Sequence, residues 1–238
     1  MQSTNAFSSV IDTFVSPTKA FNGLKQAKGW TWFAIVLFLL LSAAVQAVYY
    51  KSVDQTFFVE QQMLVIEASG DMNPAQIEQT EAMTAQQFPM MWIITSVSTL
   101  IFMPIVLCVF ALYYHLVAKQ DTSQSFTFGD WFSFSTYTSL PAIISALGSL
   151  VLILTASSGE IPVSVMTFAS LNQLIFGFEP GHAFTTLLES INIFSIWSIA
   201  LAYVGLKSWT NFSQNKALLF ALLPSVLIYG IWAIVAAL

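Results

Sequence analysis

Glu189 is the side chain with the clearest capacity for chemistry in this sequence. It is the one carboxylate inside a long apolar stretch, and Asn192 and Ser195 follow it at intervals of one helical turn. An acidic residue within a membrane-spanning segment is a functional candidate by default, because a charge in hydrocarbon is costly. Glu189 also lies near the end of its stretch, where the carboxylate could simply reach water.

Prolines interrupt three of the other apolar stretches, at Pro104, Pro141 and Pro224. A proline inside a helix lacks an N–H and leaves a backbone carbonyl without its usual partner. In a transporter such carbonyls can bind an ion or a substrate, although neighbouring hydroxyl groups can satisfy them equally well. Glu189, Asn192, Pro104 and Pro141 are therefore the candidate functional residues of a small transporter or channel.

The remaining reactive side chains do not form a catalytic or metal-binding motif. The two histidines, His115 and His182, fall in segments that we expect on opposite faces of a membrane, so a shared site is disfavoured. The acidic pair at helical spacing, Glu78 and Glu81, has no histidine beside it. The sequence also lacks a glycine-rich phosphate loop, a zinc-binding helix motif and a G-x-S-x-G elbow. We therefore expect no enzyme, no metal site and no cofactor.

The composition indicates the environment in which these residues must sit. Of the 238 residues, 56% are hydrophobic and 8% are charged, whereas about a quarter of the residues of a soluble protein are charged. The net charge is −5 and arginine is absent, which argues against a nucleic-acid partner. Five apolar stretches each reach about 20 residues or more, the length of a helix that crosses a ~30 Å hydrocarbon core.

These stretches predict an all-α fold, a polytopic transmembrane bundle of five helices with amphipathic interfacial helices at the N-terminus. A leader, residues 1–29, precedes a single transmembrane domain, residues 30–238. The predicted spans cover about residues 30–50, 89–117, 137–156, 187–206 and 217–238.

The lysines indicate the orientation of this bundle. Six of the seven lysines fall on alternate connecting segments, and Lys51 is the exception. Because lysine favours the cytoplasmic side, the N-terminus should be cytoplasmic and the C-terminus outside. The loop at 51–88 is then a long acidic outer loop, in which Asn73 and Pro74 should begin a separate helix that ends near Gln87. The six lysines are Lys19, Lys25, Lys28, Lys119, Lys207 and Lys216.

Two other topologies remain open. Residues 163–176 form a further apolar run that is short for a span, and we interpret it as an interfacial or re-entrant segment instead of a sixth helix. A sixth span would also place Lys207 and Lys216 outside. The first stretch could be a cleavable signal peptide, since Val45 and Ala47 are small. Its leader is long for that role, however, and we expect the stretch to be retained.

The leader has the pattern of two short amphipathic helices on either side of Pro17. Apolar residues recur at helical spacing before this proline, and a second set follows it. Both helices should lie along the cytoplasmic leaflet, where each lysine near anionic head groups contributes about 1 kcal/mol to binding. The candidate contacts to the membrane surface or to a protein partner are Phe7, Phe14, Phe21, Lys19, Lys25 and Lys28.

Three separate stretches resemble the Yip1 family of polytopic membrane proteins. They carry the sequences SPTKAF (residues 16–21), FTF to YTSLP (residues 126–141) and IFSIW to KA (residues 193–217). The resemblance implies a bundle of five helices without catalytic activity. Eukaryotic members are associated with Rab-type GTPases and vesicle traffic. The short leader and the long acidic loop of this chain look more like a bacterial inner-membrane member.

On this basis we expect an integral membrane protein that acts as a non-enzymatic scaffold or as a membrane-organising or trafficking-type protein. The expected partners are the lipid bilayer and proteins on the cytoplasmic face, and a homo-oligomer is compatible with the sequence. A small transporter or channel is the main alternative. A lipid-modifying enzyme at the outer face would use Glu179, His182 and Glu189, and it is a weaker alternative because these groups lack a nucleophile or a metal at defined spacing.

Overall fold

The computed structural model describes residues 2–27, 29–123 and 125–238, and these residues fold as an all-helical protein. An antiparallel bridge between Ser170 and Asn192 is the one β pairing among them. The α-helices in the described residues are α1 (Ala6–Val15), α2 (Pro17–Leu24), α3 (Trp30–Ser52), α4 (Gln55–Ser69), α5 (Pro74–Ala118), α6 (Phe128–Thr138), α7 (Pro141–Leu154), α8 (Thr185–Ser190), α9 (Ile193–Trp209) and α10 (Gln214–Ala237).

The chain divides into two compact units. Unit 1 contains the residues up to Leu40, Leu100–Ile144 and Phe194–Gly230, and unit 2 contains Leu41–Thr99, Ser145–Ile193 and Ile231–Leu238. Of the six described lysines, five belong to unit 1, whereas nine of the twelve carboxylates belong to unit 2. Lysine is therefore concentrated in unit 1 and carboxylate in unit 2, with Lys51 as the described lysine of unit 2.

Four helical segments in the described part of the chain are long and apolar enough to cross a membrane. They are Trp30–Ser52, Pro74–Ala118, Phe128–Leu154 and Gln214–Ala237, and each overlaps a predicted span. The fourth predicted span, at 187–206, is divided. Helix α8 ends at Ser190, the chain is extended at Ile191, and α9 then forms a helix of 17 residues. A helix of that length reaches about 26 Å, somewhat less than a hydrocarbon core.

Helix α5 differs in length from the sequence prediction. Its N-terminus is as predicted, with Asn73 as the capping residue. The predicted boundary before Pro89 is wrong, because the helix continues through that proline without a break. A long-range hydrogen bond supports the continuous helix: Gln55 Nε2 donates to the carbonyl of Ala85 (2.9 Å). That carbonyl is the group that a proline four residues later leaves without an N–H partner.

Unit 1 is built around packed aromatic rings, which we call the aromatic cluster: Tyr114, Phe126, Trp131, Phe134 and Trp209. The ring centroid of Trp209 lies 4.7 Å from that of Phe126, 5.2 Å from that of Trp131 and 5.3 Å from that of Phe134. Tyr114 contacts Phe134 at 4.8 Å. Such pairs add about 0.5–1.5 kcal/mol each beyond the burial of their area. The cluster therefore holds the unit 1 parts of α5, α6 and α9 together.

The leader forms the two helices that the sequence predicts. Asn5 caps α1, because its side chain accepts a hydrogen bond from the Ser8 N–H (2.8 Å), and Pro17 occupies the first turn of α2. One face of helix α2 is buried against unit 1. Phe21 is 0% exposed and Leu24 is 5% exposed. The opposite face, which carries Thr18, is exposed.

Unit 2 has a core of its own. Tyr49 is fully buried, and its hydroxyl donates to the carbonyl of Ile161 (3.1 Å). The rings of Phe58 and Phe88 pack with centroids 5.3 Å apart. Residues 163–176 contain a short 3-10 helix and a short π-helix instead of one continuous helix. Residues 163–176 therefore do not form the continuous helix that a sixth span of this kind would need.

Candidate functional site

Two interrupted helical segments meet in unit 2, at a place that we call the crossing (residues 169–173 and 189–193). The chain leaves the helical conformation between α8 and α9, which frees backbone polar groups. The Leu171 N–H donates to the carbonyl of Ile191 (2.8 Å) across the crossing. Irregular backbone at membrane depth is tolerated only where protein or a water-filled cavity satisfies it. At the crossing, backbone polar groups of one segment are satisfied by those of the other segment.

The crossing brings together two of the candidate residues, Glu189 and Asn192. The Glu189 carboxylate is half-buried and accepts a hydrogen bond from the side chain of Gln173. Asn192 pairs with Ser170, which is 0% exposed. A carboxylate among amides and hydroxyls can hold a proton or a monovalent cation. Across the described residues, no group of three His, Cys, Asp or Glu side chains is arranged to bind a metal ion.

Pro104 and Pro141 belong to unit 1, so the structure does not gather the four candidates in one site. Pro141 is the first residue of α7, where an N–H would have no helical partner in any case. A third proline in unit 1, Pro224, lies inside α10. The carbonyl that it frees, at Phe220, accepts a hydrogen bond from the Tyr113 hydroxyl (2.8 Å). Side chains thus satisfy the freed carbonyls at Pro224 and, as described above, at Pro89.

The two histidines belong to different units and have different surroundings. His115 lines a cavity of about 50 Å³ in unit 1, together with Lys119 and two rings of the aromatic cluster. Its Nδ1 is buried and has no hydrogen-bond partner among the described residues. His182, in unit 2, stacks on Phe178 with ring centroids 4.0 Å apart, and its Nδ1 accepts a hydrogen bond from the Phe184 N–H (3.2 Å). His182 therefore organises its own loop.

The phenylalanines of the leader differ in their exposure. Phe7 is 65% exposed, and Phe14 is partly buried. Phe21 is fully buried, because its ring packs on Phe134 at 5.3 Å and its carbonyl accepts a hydrogen bond from the indole of Trp209 (2.8 Å). The prediction that Phe21 contacts a membrane surface or a partner is therefore wrong. Its side chain instead attaches the leader to the aromatic cluster.

The lysines of the leader are also placed differently from one another. Lys19 Nζ lies 3.0 Å from the carboxylate of Asp12, so its charge is paired within the leader. Lys25 is exposed, and Lys119 beyond the leader is exposed as well. Lys28 lies outside the described residues. Among the described lysines of the leader, Lys25 is thus the one most available to a partner.

A polar contact joins two of the lysine-bearing segments. The Asp121 carboxylate accepts hydrogen bonds from the Asn211 N–H (2.7 Å) and from the Ser123 hydroxyl (2.6 Å). These hydrogen bonds, that from Asn211 foremost, lower the pKa of Asp121 below its usual value. Asn211 Nδ2 also donates to Ser123 Oγ (2.7 Å). The segments at 118–136 and 207–216 therefore meet in unit 1.

Comparison with known proteins supports a single family. A family model of the Yip1 domain matches residues 11–235, which is nearly the whole chain. No curated protein and no solved structure matches this chain. The matched range includes parts of both units.

Proposed function

Because the chain belongs to the Yip1 domain family of membrane proteins, we propose that it is a non-enzymatic membrane-organising scaffold that binds its partners through the lysine-bearing surface of unit 1. One observation carries this proposal, namely that three lysine-bearing segments converge in unit 1. Trp209 joins the third of them to the leader at Phe21, and Asp121 joins the second to the third at Asn211. Five of the described lysines thus lie on segments of unit 1 that contact one another, and Lys25 and Lys119 among them are exposed.

The interior of this region supports a scaffold over a transporter. A transporter must open a path through its bundle, and its binding site needs a cavity at mid-depth. In unit 1 the aromatic cluster packs between α5, α6 and α9, where its Trp131 and Trp209 are each 1% exposed and the cavity beside His115 holds only about 50 Å³. Close-packed rings resist the rearrangement that a transport cycle needs. They give a partner-binding surface a rigid support instead.

The proposed topology has five spans, with α9 as the shortest, and places the N-terminus in the cytoplasm and the C-terminus outside. The sorting of lysine and carboxylate between the units supports it, because positive charge is retained on the cytoplasmic side. The short leader and the long acidic segment favour a bacterial inner membrane. The partners would then be anionic head groups or acidic protein surfaces at the cytoplasmic face.

Charge reversal on the lysine-bearing surface tests the scaffold. The double variant Lys25→Glu, Lys119→Glu should weaken partner binding by about 2 kcal/mol, or roughly 30-fold, if each lysine contributes about 1 kcal/mol. The measurement is quantitative co-purification from gently solubilised membranes. The matched control reverses two exposed carboxylates of α5, Glu78→Lys and Glu81→Lys, and should leave the partners unchanged. If both variants and the unmodified protein recovered the partners equally, the lysine-bearing surface would not be the partner-binding site.

The crossing favours a second candidate, a small transporter that uses Glu189 and Asn192. Interrupted helices that pair through their backbone resemble the binding sites of secondary transporters. The half-buried Glu189 carboxylate would then carry a proton or bind the coupling ion.

A flux assay in proteoliposomes separates this candidate from the scaffold. If Glu189 serves transport, Glu189→Gln should abolish a flux of protons, ions or common metabolites. The neutral amide can neither take up a proton nor offer a negative charge to a cation. Glu179→Gln is the matched control, since Glu179 is an exposed carboxylate of the same unit. If the protein gave no flux, or a flux unaffected by Glu189→Gln, the transporter function would be ruled out.

A further inference from the structure

The leader contacts helix α9 at two separate points along its length. Phe14, near the end of α1, contacts Trp197 with ring centroids 5.6 Å apart. Phe21 on α2 accepts the hydrogen bond from Trp209 at the other end of α9. Trp197 and Trp209 are separated by about 18 Å along a helix. The turn between α1 and α2, at Ser16 and Pro17, directly follows Phe14 and therefore lies toward the Trp197 end of α9, away from Trp209.

The two ends of the leader meet again at the start of α3. A Cβ added to Gly23 would lie 3.1 Å from the Cβ of Ser3 and 3.3 Å from the ring of Trp30. Phe7 contacts Phe33 with ring centroids 6.4 Å apart. The leader is thus a closed helical hairpin, whose base lies beside the first residues of a candidate spanning helix. Its tip extends inward along α9.

Asp12 on α1 and Lys19 on α2 are paired with each other. Asp12 is 7% exposed; its carboxylate accepts a hydrogen bond from Ser3 Oγ (2.8 Å) and lies 3.0 Å from Lys19 Nζ. Ser9 and Thr13, on the same face of α1, are 0% exposed. A helix that lies flat at a membrane surface turns its charges toward water. Helix α1 does the opposite, and pairing of its buried charge is what immersion in hydrocarbon requires.

The outward face of α1 is an apolar stripe, which we call the leader stripe: Phe7, Ile11 and Val15. These residues are spaced by one helical turn and are 65%, 45% and 74% exposed. The stripe is continuous with the exposed surface of α3, because Phe7 contacts Phe33, which is itself 41% exposed. Helix α3 is long and apolar enough to cross a membrane. The medium that surrounds α3 should therefore also cover the stripe.

We propose that α1 and α2 form a re-entrant hairpin that dips into the cytoplasmic leaflet and binds lipid acyl chains along the leader stripe. The assignment to this leaflet rests on the proposed function and its topology; the insertion itself rests on the contacts with α3 and α9. Along α1 the depth increases from Phe7 to Val15, by up to about 12 Å if the helix follows the membrane normal. A flat interfacial helix would hold these residues at equal depth.

Depth-dependent fluorescence quenching tests the hairpin. Single cysteines are placed at Phe7, Ile11 or Val15 in a Cys108→Ser background, labelled with bimane, and reconstituted in phosphatidylcholine–phosphatidylglycerol vesicles. The vesicles contain lipids brominated near the head group or near the chain end, and iodide serves as the aqueous quencher. Orientation of the protein in the vesicle does not matter, because each depth is measured from the nearer surface. The controls are Leu40→Cys, exposed on α3, and Glu78→Cys, in the acidic part of α5.

The hairpin predicts a gradient along the stripe. Quenching by iodide should fall from position 7 to position 15, and quenching by the deep bromines should rise, with position 15 resembling position 40. Equal depths at the three positions would overturn the hairpin in favour of a flat helix. Iodide quenching at position 15 as strong as at position 78 would overturn the contact with lipid. A lost gradient would leave the charge-reversal test of the scaffold unaffected, so the two proposals can fail separately.

Discussion

Replacing Trp209 with alanine is expected to lower the free energy of unfolding by about 3–5 kcal/mol, the usual cost of removing a large buried aromatic side chain. Trp209 is 1% exposed and stacks on Phe126 with ring centroids 4.7 Å apart. Its indole N–H also donates the hydrogen bond that attaches Phe21 to the cluster. The substitution should therefore also release the leader. Unfolding is measured by titration of mixed micelles with sodium dodecyl sulfate.

Two further variants separate the contributions of Trp209. Trp209→Phe keeps an aromatic ring and removes the N–H donor, so it should cost about 1–2 kcal/mol. Trp32→Ala removes a tryptophan that is 72% exposed and should change stability by less than about 0.5 kcal/mol. Release of the leader would appear as faster tryptic cleavage after Lys19, whose charge is paired with Asp12 in the intact hairpin. Equal stability of Trp209→Ala and Trp32→Ala would contradict the central position of Trp209.

Local signals in the sequence predicted the helices well, because they depend on residues close to one another in the chain. Asn73 caps α5 and Pro17 begins α2 at the predicted positions. The continuity of α5 through Pro89 could not be predicted, because its support comes from Gln55, 30 residues away from the carbonyl that it satisfies.

The packing of the leader also depends on residues that are far away in the sequence, so its sequence pattern could not predict it. Its amphipathic pattern predicts two helices correctly, but the pattern is equally compatible with either face turned toward the protein. Which face turns toward the protein depends on the contact with Trp209, which is 188 residues from Phe21 in the sequence. The pairing of Asp12 with Lys19 also decides it, because this pairing removes the charge that would hold α1 in water. For the candidate site, the sequence could not show that the helix is interrupted between Glu189 and Asn192, or that Pro104 and Pro141 belong to the other unit.

Gly205 provides the second test of the aromatic cluster, because a methyl group at this position has no room. A Cβ added to Gly205 would lie 2.5 Å from the ring of Phe134 and 3.0 Å from the ring of Phe21. Both rings are 0% exposed, so neither has free space into which it could move. Gly205→Ala should therefore destabilise the protein by about 1–3 kcal/mol, the usual cost of overpacking a core. The measurement is the same titration of mixed micelles.

Gly230 is the matched control, since it also belongs to unit 1, lies inside a long apolar helix, and has no atom within 4 Å of an added Cβ. Alanine is favoured over glycine within a helix by about 0.5–1 kcal/mol, so Gly230→Ala should leave stability unchanged or raise it. The same chemical change is thus expected to have opposite signs at the two positions. If Gly205→Ala were as stable as Gly230→Ala, the rings of Phe21 and Phe134 would not be closely packed, and the leader could not be held against α9. Because the re-entrant hairpin requires that packing, it would then lose its anchor as well.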